Sequence, residues 1–295
     1  MAGLKEIRIR IASVTSTRQI TNAMKMVSAS KLRKAQDAIL QLRPYAAKLQ
    51  EILTHVSDAL SSDEENVYIR NKDPEKVLLV VITSNRGLCG AFNANIIRRT
   101  IQLIGEDYPD LYKSGRLDLF TIGKRGTDYL ARRKFNITDT RNDLFDGLSF
   151  KAAAKVAEDM IERFITRKYD RIVLVYNQFK NAAVQILATE QFLPVIIPEK
   201  KEINHLYQDY IFEPTKDFIV KELIPKSLKI QFYKALLDSN ASEHGARMTA
   251  MHQATDNATE LIRDLKLNYN KARQASITKE LLEIVSGAEA LKSKR

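Results

Sequence analysis

The sequence predicts an α/β domain with a mainly parallel sheet, inserted between two long helices that pair as an antiparallel coiled coil. Three observations lead there. Turn-making residues are scarce and uneven: the 295 residues hold 10 Gly and 7 Pro, roughly half the usual share. No glycine lies between Gly3 and Gly87 and no proline after Pro225, whereas seven of the ten glycines fall from Gly87 to Gly147. Apolar residues at both ends recur every 3.5 residues, and the middle alternates short apolar runs with helical patterns. A 44% hydrophobic content supports a core and excludes a disordered chain. An all-β sandwich would need turn signals every ~8–12 residues throughout.

The first element is a helix over residues 4–58, within an N-terminal segment 1–60. Positions taken alternately three and four apart from Leu4 run through Ile7, Ile11 and Val14, then from Leu32 through Ala35, Ile39, Leu42, Ala46, Leu49, Leu53 and Val56 to Leu60. Thirteen of the seventeen positions are apolar, the pattern that holds one seam against a partner helix. The exceptions, Arg18, Thr21, Lys25 and Ser28, are contiguous. Apolar residues there shift to Ile20, Met24 and Val27, which reads as a local change of phase. Pro44 should kink the helix or mark a contact.

The second long helix follows Pro214, within the segment 214–295. Its seam reads Ile219, Leu223, Ile230, Tyr233, Leu237, then Met251, Ala254, Ala258, Leu261, Leu265, and finally Ala272, Ala275 and Leu282. At ~1.5 Å per residue the two helices reach ~80 and ~110 Å, too long for a compact domain, so one leaves and the other returns. The second outlasts the first. Its tip carries Ile277, Leu281, Leu282, Ile284, Val285, Ala288 and Leu291, apolar residues that a free helix end should not expose. Insertion into a sleeve of another protein and packing on a second copy both account for it.

The middle segment, 61–213, starts its sheet at 77–83, Val-Leu-Leu-Val-Val-Ile-Thr, a buried strand followed by the turn Ser84-Asn85-Arg86-Gly87-Leu88-Cys89-Gly90. A helix from Asn93 to Ile104, a strand from Leu117 to Ile122 and a turn plus helix from Gly123 to Arg133 come next. Ser149 suits the N-cap of a helix over Phe150 to Thr166. Strands at Arg171 to Asn177 and Ala182 to Glu190 complete a Rossmann-like α/β layer. Pro194 and Pro198 mark its exit, and Glu199 to Phe212 is a connector.

Net charge is +11, concentrated at the ends: 10 Lys/Arg against 4 Asp/Glu in residues 1–60, 14 against 10 in 214–295, but 23 against 22 between them. Nucleic acid, anionic lipid and an acidic protein surface all suit such ends. Cys89 is the only cysteine, so no internal disulfide forms and a reducing compartment is expected. No apolar run approaches the ~20 residues of a membrane span.

Complete catalytic constellations are missing. Gly87 and Gly90 give only G-x-x-G, and no G-x-x-x-x-G-K-[ST] occurs, so the turn reads as helix–sheet packing rather than a phosphate cradle. His244 and His252 lie eight apart, too far for a zinc pair on one helix face. Cys89 reads as a small core residue. No cofactor, no metal and no catalytic residue is expected.

Residues 2–36, from Ala2-Gly3-Leu4-Lys5-Glu6-Ile7-Arg8 to Lys34-Ala35-Gln36, resemble the start of the gamma subunit family of F-type ATP synthases. Ser242-Glu243-His244-Gly245-Ala246-Arg247-Met248-Thr249-Ala250-Met251 is similar to that family's C-terminal signature, as is Tyr269 to Leu281 continuing to Ser286-Gly287-Ala288. Arg86-Gly87-Leu88-Cys89-Gly90 matches its central domain. The resemblance runs from end to end. It implies a non-catalytic rotor shaft turning inside three alpha and three beta subunits, with its foot on the epsilon subunit and the c-subunit ring, and no nucleic-acid partner. By resemblance, Met24, Lys25, Lys31, Arg33 and Lys34 face an acidic loop of the beta subunit, and Arg273, Gln274 and Thr278 hydrogen-bond to beta near the catalytic end. The apolar tip becomes a bearing. Tyr210, Phe212 and Glu213 face the c ring and epsilon, with Phe212 where a tyrosine is expected. A bacterial protein, peripheral on the cytoplasmic face of the membrane, is implied.

Overall fold

A computed structural model describes residues 3–60, 67–68, 73–195 and 216–292. In chain order the elements are α1 (Leu4–Leu60), β1 (Val77–Ile82), α2 (Phe92–Glu106), α3 (Pro109–Lys113), β2 (Leu117–Ile122), α4 (Lys124–Arg132), β3 (Ile137–Thr140), α5 (Phe150–Ile165), β4 (Arg171–Phe179), β5 (Gln185–Leu193) and α6 (Lys216–Lys292). Pro44 sits inside α1 without ending it. Among the described residues no helix is long and apolar enough to cross a membrane. The expected connector and the c-ring-facing Tyr210, Phe212 and Glu213 lie outside the described residues, as do the side chains of Leu53, Val56, Leu60, Ile219 and Leu291.

The chain divides into two compact units, Met1–Val27 with Met248–Arg295, and Ser28–Arg247. In the first unit α1 and α6 run antiparallel. Arg8 Nη2 donates to the Tyr269 hydroxyl at 2.8 Å, Thr255 Oγ1 to Thr21 Oγ1 at 2.8 Å, and Lys25 Nζ lies 3.4 Å from His252 Nδ1. From Arg8 to Lys25 is 17 residues forward, and from Tyr269 to His252 is 17 back, so the register is constant.

This constancy overturns the expected change of phase. Thr21 is buried, Arg18 and Lys25 are partly buried, and Ile20 is 61% and Val27 57% exposed. The seam keeps its three–four alternation straight through the polar residues, because small hydroxyls and long aliphatic stems can occupy seam positions when their polar ends find partners. The α6 seam also needs correction. Met251, Ala258, Ile262 and Leu265 are buried, but Leu261, Ala275 and Leu282 are exposed. Leu261 and Ile262 are both apolar, so pattern alone could not choose between them; packing selects the one that follows Ala258 by four.

In the second unit the sheet order is β3-β2-β1-β4-β5, with the first four strands parallel and β5 antiparallel to β4. This is the central reversal of a doubly wound sheet, closed by a hairpin. Strands β1 and β2 are buried throughout, β1 as a continuous apolar run of the kind that helices on both faces require, β2 with Asp118 and Thr121 hydrogen-bonded inside it to Tyr169 and Thr127. One face packs Leu78, Val80, Ile82 and Tyr176 against α5 and against Ile224, Leu228, Phe232 and Leu236 of α6. The other packs Val77, Leu79 and Val81 against Phe92, Ile96 and Leu103 of α2 and Leu130 of α4. Ser149 caps α5 by accepting from the Ala152 amide. The last strand begins at Gln185 rather than Ala182, because the Asn181 side chain accepts from the Ala183 and Val184 amides and turns the hairpin there.

The seam assignment has a direct test. Ile262→Asp should destabilise the helix pair by about 2–4 kcal/mol by placing an unpaired charge in the seam, whereas Leu261→Asp should change it by less than about 0.5 kcal/mol. Urea titration followed by helical circular dichroism measures both; equal losses would return Leu261 to the seam.

Candidate functional site

Three features of the chain stand out: a buried junction and two exposed surfaces. The first is the glycine turn after β1 and its junction with α6. Within the turn the Ser84 amide donates to Asn93 Oδ1 at 3.0 Å, and Asn93 Nδ2 donates to Ser84 Oγ at 2.8 Å and to Cys89 Sγ at 3.2 Å. The Arg125 amide donates to Ser84 O at 3.0 Å and the Lys124 amide to Asn85 Oδ1 at 3.1 Å. Gly123, at φ 99°, lies so close to Thr83 that a Cβ would sit 2.1 Å from its carbonyl oxygen. These amides are spent on internal acceptors. The carbonyls of Arg86 and Gly87 instead receive Arg247 of α6, at 3.0 Å from Nη2 and 3.3 Å from Nε. A turn that offers oxygens to a guanidinium has the opposite polarity to one that cradles phosphate.

Arg247 is almost fully buried and also donates to Glu243 Oε1 at 2.7 Å, one helical turn earlier. Its Nη1 lies 3.4 Å from His244 Nδ1. Ser242 Oγ donates to Asn177 O at 3.1 Å. Gly245 lets α6 approach the β4–β5 hairpin, since a Cβ there would be 3.2 Å from the Ala182 backbone. Burial pushes the Glu243 carboxyl up, against the pull of Arg247 and Lys31. Burial, with Arg247 and Lys31, holds the His244 imidazole down at about 4. Cys89 is buried and its thiol is pushed up by desolvation.

A few residues earlier on α6, Asp238 is buried on the wall of a cavity of about 820 Å³ between α1, β5 and α6. Burial raises its carboxyl to about 6, with Lys234 and Arg43 opposing and Glu190 reinforcing the shift.

The second feature is α1. Of the residues expected to face an acidic partner, Lys31, Arg33 and Lys34 are exposed, whereas Met24 and Lys25 are half-buried. The exposed Ile9, Ile20 and Val27 follow one another at spacings of 11 and 7, which returns them to one helix face. Sequence reasoning had placed two of them in the seam. The third feature is the end of α6. By the register of the helix pair Leu4 falls opposite Arg273, so α6 beyond that point has no partner helix among the described residues. Arg273, Gln274 and Thr278 are exposed there, and Ile277, Leu281, Ile284 and Ala288 form one uncovered face, with Leu282 and Val285 beside it, Ile284 being 68% exposed. Among the described residues no cluster of His, Cys, Asp and Glu could hold a metal ion.

A family model described as ATP synthase matches residues 3–291. An ATP synthase gamma chain of Flavobacterium psychrophilum is 56% identical over 99% of this chain and 100% of its own length. The chain belongs to the ATP synthase gamma-chain family. Another relative, from Flavobacterium johnsoniae, is 57% identical over 99% of both chains. Among solved structures, a chain of the Tetrahymena thermophila mitochondrial ATP synthase central stalk and c-ring is 26% identical with a TM-score of 0.58, covering 80% of this chain and 99% of its own. A chain of the Euglena gracilis mitochondrial enzyme superposes with a TM-score of 0.68 at 24% identity, over 98% of this chain and 94% of its own. A member of this family is one component of a larger complex.

The buried titrating groups on α6 oppose each other. His244 stays neutral in the folded chain down to about 4, whereas an ordinary imidazole protonates near 6.5, so its contribution is complete above pH 6.5 and is lost as pH falls towards 4. Asp238 takes its proton at about 6 when folded and at 3.8 when not, so the cost of its buried charge fades as pH falls through 6. Asp238→Asn should therefore stabilise the 28–247 unit at pH 7 by about 1–3 kcal/mol, an advantage that vanishes by pH 4. Urea midpoints measured between pH 4 and 7 check this, and a pH-independent advantage would contradict it.

Proposed function

We propose that the chain is the central rotor shaft of an F-type ATP synthase. It turns inside a hexamer of three alpha and three beta subunits and couples proton-driven rotation of a c-subunit ring to ATP synthesis or hydrolysis there, taking no catalytic step itself. The observation that carries this reading is the helix pair whose longer member ends in an uncovered apolar face, on a chain matched over its full length by gamma chains. A shaft that slides against its housing is best served by apolar contacts, because they are non-directional and few hydrogen bonds break at each step.

The roles follow from the surfaces. Residues 1–60 and 214–295 are the shaft helices, and 61–213 is the α/β body with its connector. Met24, Lys25, Lys31, Arg33 and Lys34 present positive charge to an acidic loop of beta. Arg273, Gln274 and Thr278 hydrogen-bond to beta near the catalytic end, and Ile277, Leu281, Leu282, Ile284, Val285, Ala288 and Leu291 form the bearing. Ile20 and Val27, exposed beside the cations, add apolar area to the same contact. Tyr210, Phe212 and Glu213 belong to the foot on epsilon and the c ring. The protein is peripheral, on the cytoplasmic face of a bacterial membrane. The turn after β1, whose Arg86 and Gly87 carbonyls receive Arg247, supports the non-catalytic assignment.

Reconstitution decides the matter: the pure chain should join an alpha–beta hexamer and restore cooperative ATP hydrolysis, and failure to do either would sink the proposal. Lys25→Glu should slow turnover of that complex about tenfold or more while changing the chain's stability by less than about 1 kcal/mol; parallel losses of melting temperature and activity would limit Lys25 to its place in the helix pair. Truncation after Thr278 should weaken assembly or torque and leave the α/β body folded, as read by near-UV circular dichroism. An unfolded body in that variant would make the tip structural.

A further inference from the structure

The face of the sheet opposite α5 carries a groove that the rotary reading does not use. Helices α2 and α4 follow the parallel neighbours β1 and β2 and so lie side by side in the same direction. Between them runs a groove of about 660 Å³. From α2 it is lined at Asn93, Ala94, Ile97, Arg98, Ile101 and Gln102, one face of that helix, and from α4 at Arg125, Asp128, Tyr129, Arg132 and Arg133, again one face. The floor is apolar: Ile97 is buried and Ile101 half-buried. The rim holds Arg98, Arg125, Arg132 and Arg133, all exposed, against the single carboxylate Asp128. None of the four arginines pairs with a carboxylate among the described residues. Arg133 lies over the Tyr129 ring, 5.0 Å from its centroid, which holds its charge at the rim.

We propose that this groove docks an acidic amphipathic helix of a partner protein. The lined stretch of α2, residues 93–102, is about 14 Å long, enough to engage about two and a half turns of a helix. A helix laid between two parallel helices meets an apolar floor along its centre and a charged rim along its flanks. The occupant that fits carries an apolar stripe at i, i+3, i+4 and i+7 with glutamate or aspartate on both sides. The four arginines select against a basic helix, and the isoleucine floor selects against a purely polar polyanion.

The test uses the full chain and a fluorescein-labelled, hydrocarbon-stapled helix of about 14 residues, with leucines on one face flanked by glutamates. Fluorescence anisotropy should show saturable binding that weakens at least about tenfold in the Arg98→Glu/Arg132→Glu variant and in Ile101→Asp, and falls with salt. Lys155→Glu, on the exposed side of α5, should leave it unchanged. All of these positions lie outside the helix pair, and far-UV circular dichroism checks that each variant folds; if Ile101→Asp does not, the arginine variant and the scrambled peptide decide. Equal binding of a scrambled peptide of the same charge would overturn the proposal, because it would reduce the groove to a diffuse charge patch. Displacement of the helix by inorganic tripolyphosphate at lower concentration would overturn it in favour of a phosphate site. A concentration-dependent dimer that dissociates in the arginine variant would make the occupant a second copy.

Discussion

Arg247 has to satisfy a rigid, five-donor cation where water hardly reaches it, and its solution organises the 28–247 unit. One carboxylate, Glu243, neutralises it from the preceding turn of α6, His244 Nδ1 lies beside the same Nη1, and two backbone carbonyls, of Arg86 and Gly87, take Nη2 and Nε. A buried cation stripped of such partners costs several kcal/mol, so the turn after β1 must present its oxygens to α6. That demand explains the rest of the turn. Its Ser84 amide is drawn inward to Asn93, while Asn85 Oδ1 and the Ser84 carbonyl accept the Lys124 and Arg125 amides of the turn after β2, and the glycine that resembles part of a nucleotide loop serves a different purpose. The same demand makes α6 part of the body here rather than a helix resting on it: Phe232, Ala235, Leu236 and Ala241 are wholly buried, and Gly245 removes the one Cβ that would hold the hairpin away.

In the 1–27 and 248–295 unit the usual placement is partly inverted. The seam holds the Thr21–Thr255 hydroxyl pair and the half-buried Lys25, while Ile9, Ile20 and Val27 face outward. Hydroxyl pairs in a seam contribute less burial than leucines, but they fix register, because sliding by a turn separates donor from acceptor. A helix pair with a polar lock inside and apolar residues outside is specified as a pair and left apolar for whatever surrounds it.

Much of this was legible in the sequence because it follows from periodicity. The strand at 117–122, the helix capped by Ser149 and the great length of α1 and α6 all came from patterns with one dominant reading. What was missed lacked such a pattern. Strand β3, Ile-Thr-Asp-Thr, has four residues and alternating exposure, too little apolar content to declare itself. Helix α3 has five residues. The phase at Ile20 and at Leu261 could not be chosen from hydrophobicity, since the competing position was apolar in one case and, in the other, polar but satisfied by a partner far along the chain. For the contact surfaces, the cations and the tip residues were visible individually, but the Glu243–Arg247 pair was seen only as part of a motif. Its one available signal was an i, i+4 charge pair set among alanines, which a burial-minded reading could have taken as a buried bridge. The groove between α2 and α4 was invisible because its arginines come from two helices, starting at Phe92 and at Lys124, that only the sheet brings together.

The chain's single thiol has a use that follows from where it lies. Cys89 is buried beneath the turn, touched by Asn93, with its proton held more tightly than that of a free cysteine. The thiolate is the reactive species, so an alkylating reagent reaches this atom only when the α/β body opens. The rate of modification then clocks that opening on the native sequence with no label attached. For the same reason a cysteine introduced on the exposed end of α6 would react first and alone, and probes of rotation could be attached there without replacing Cys89.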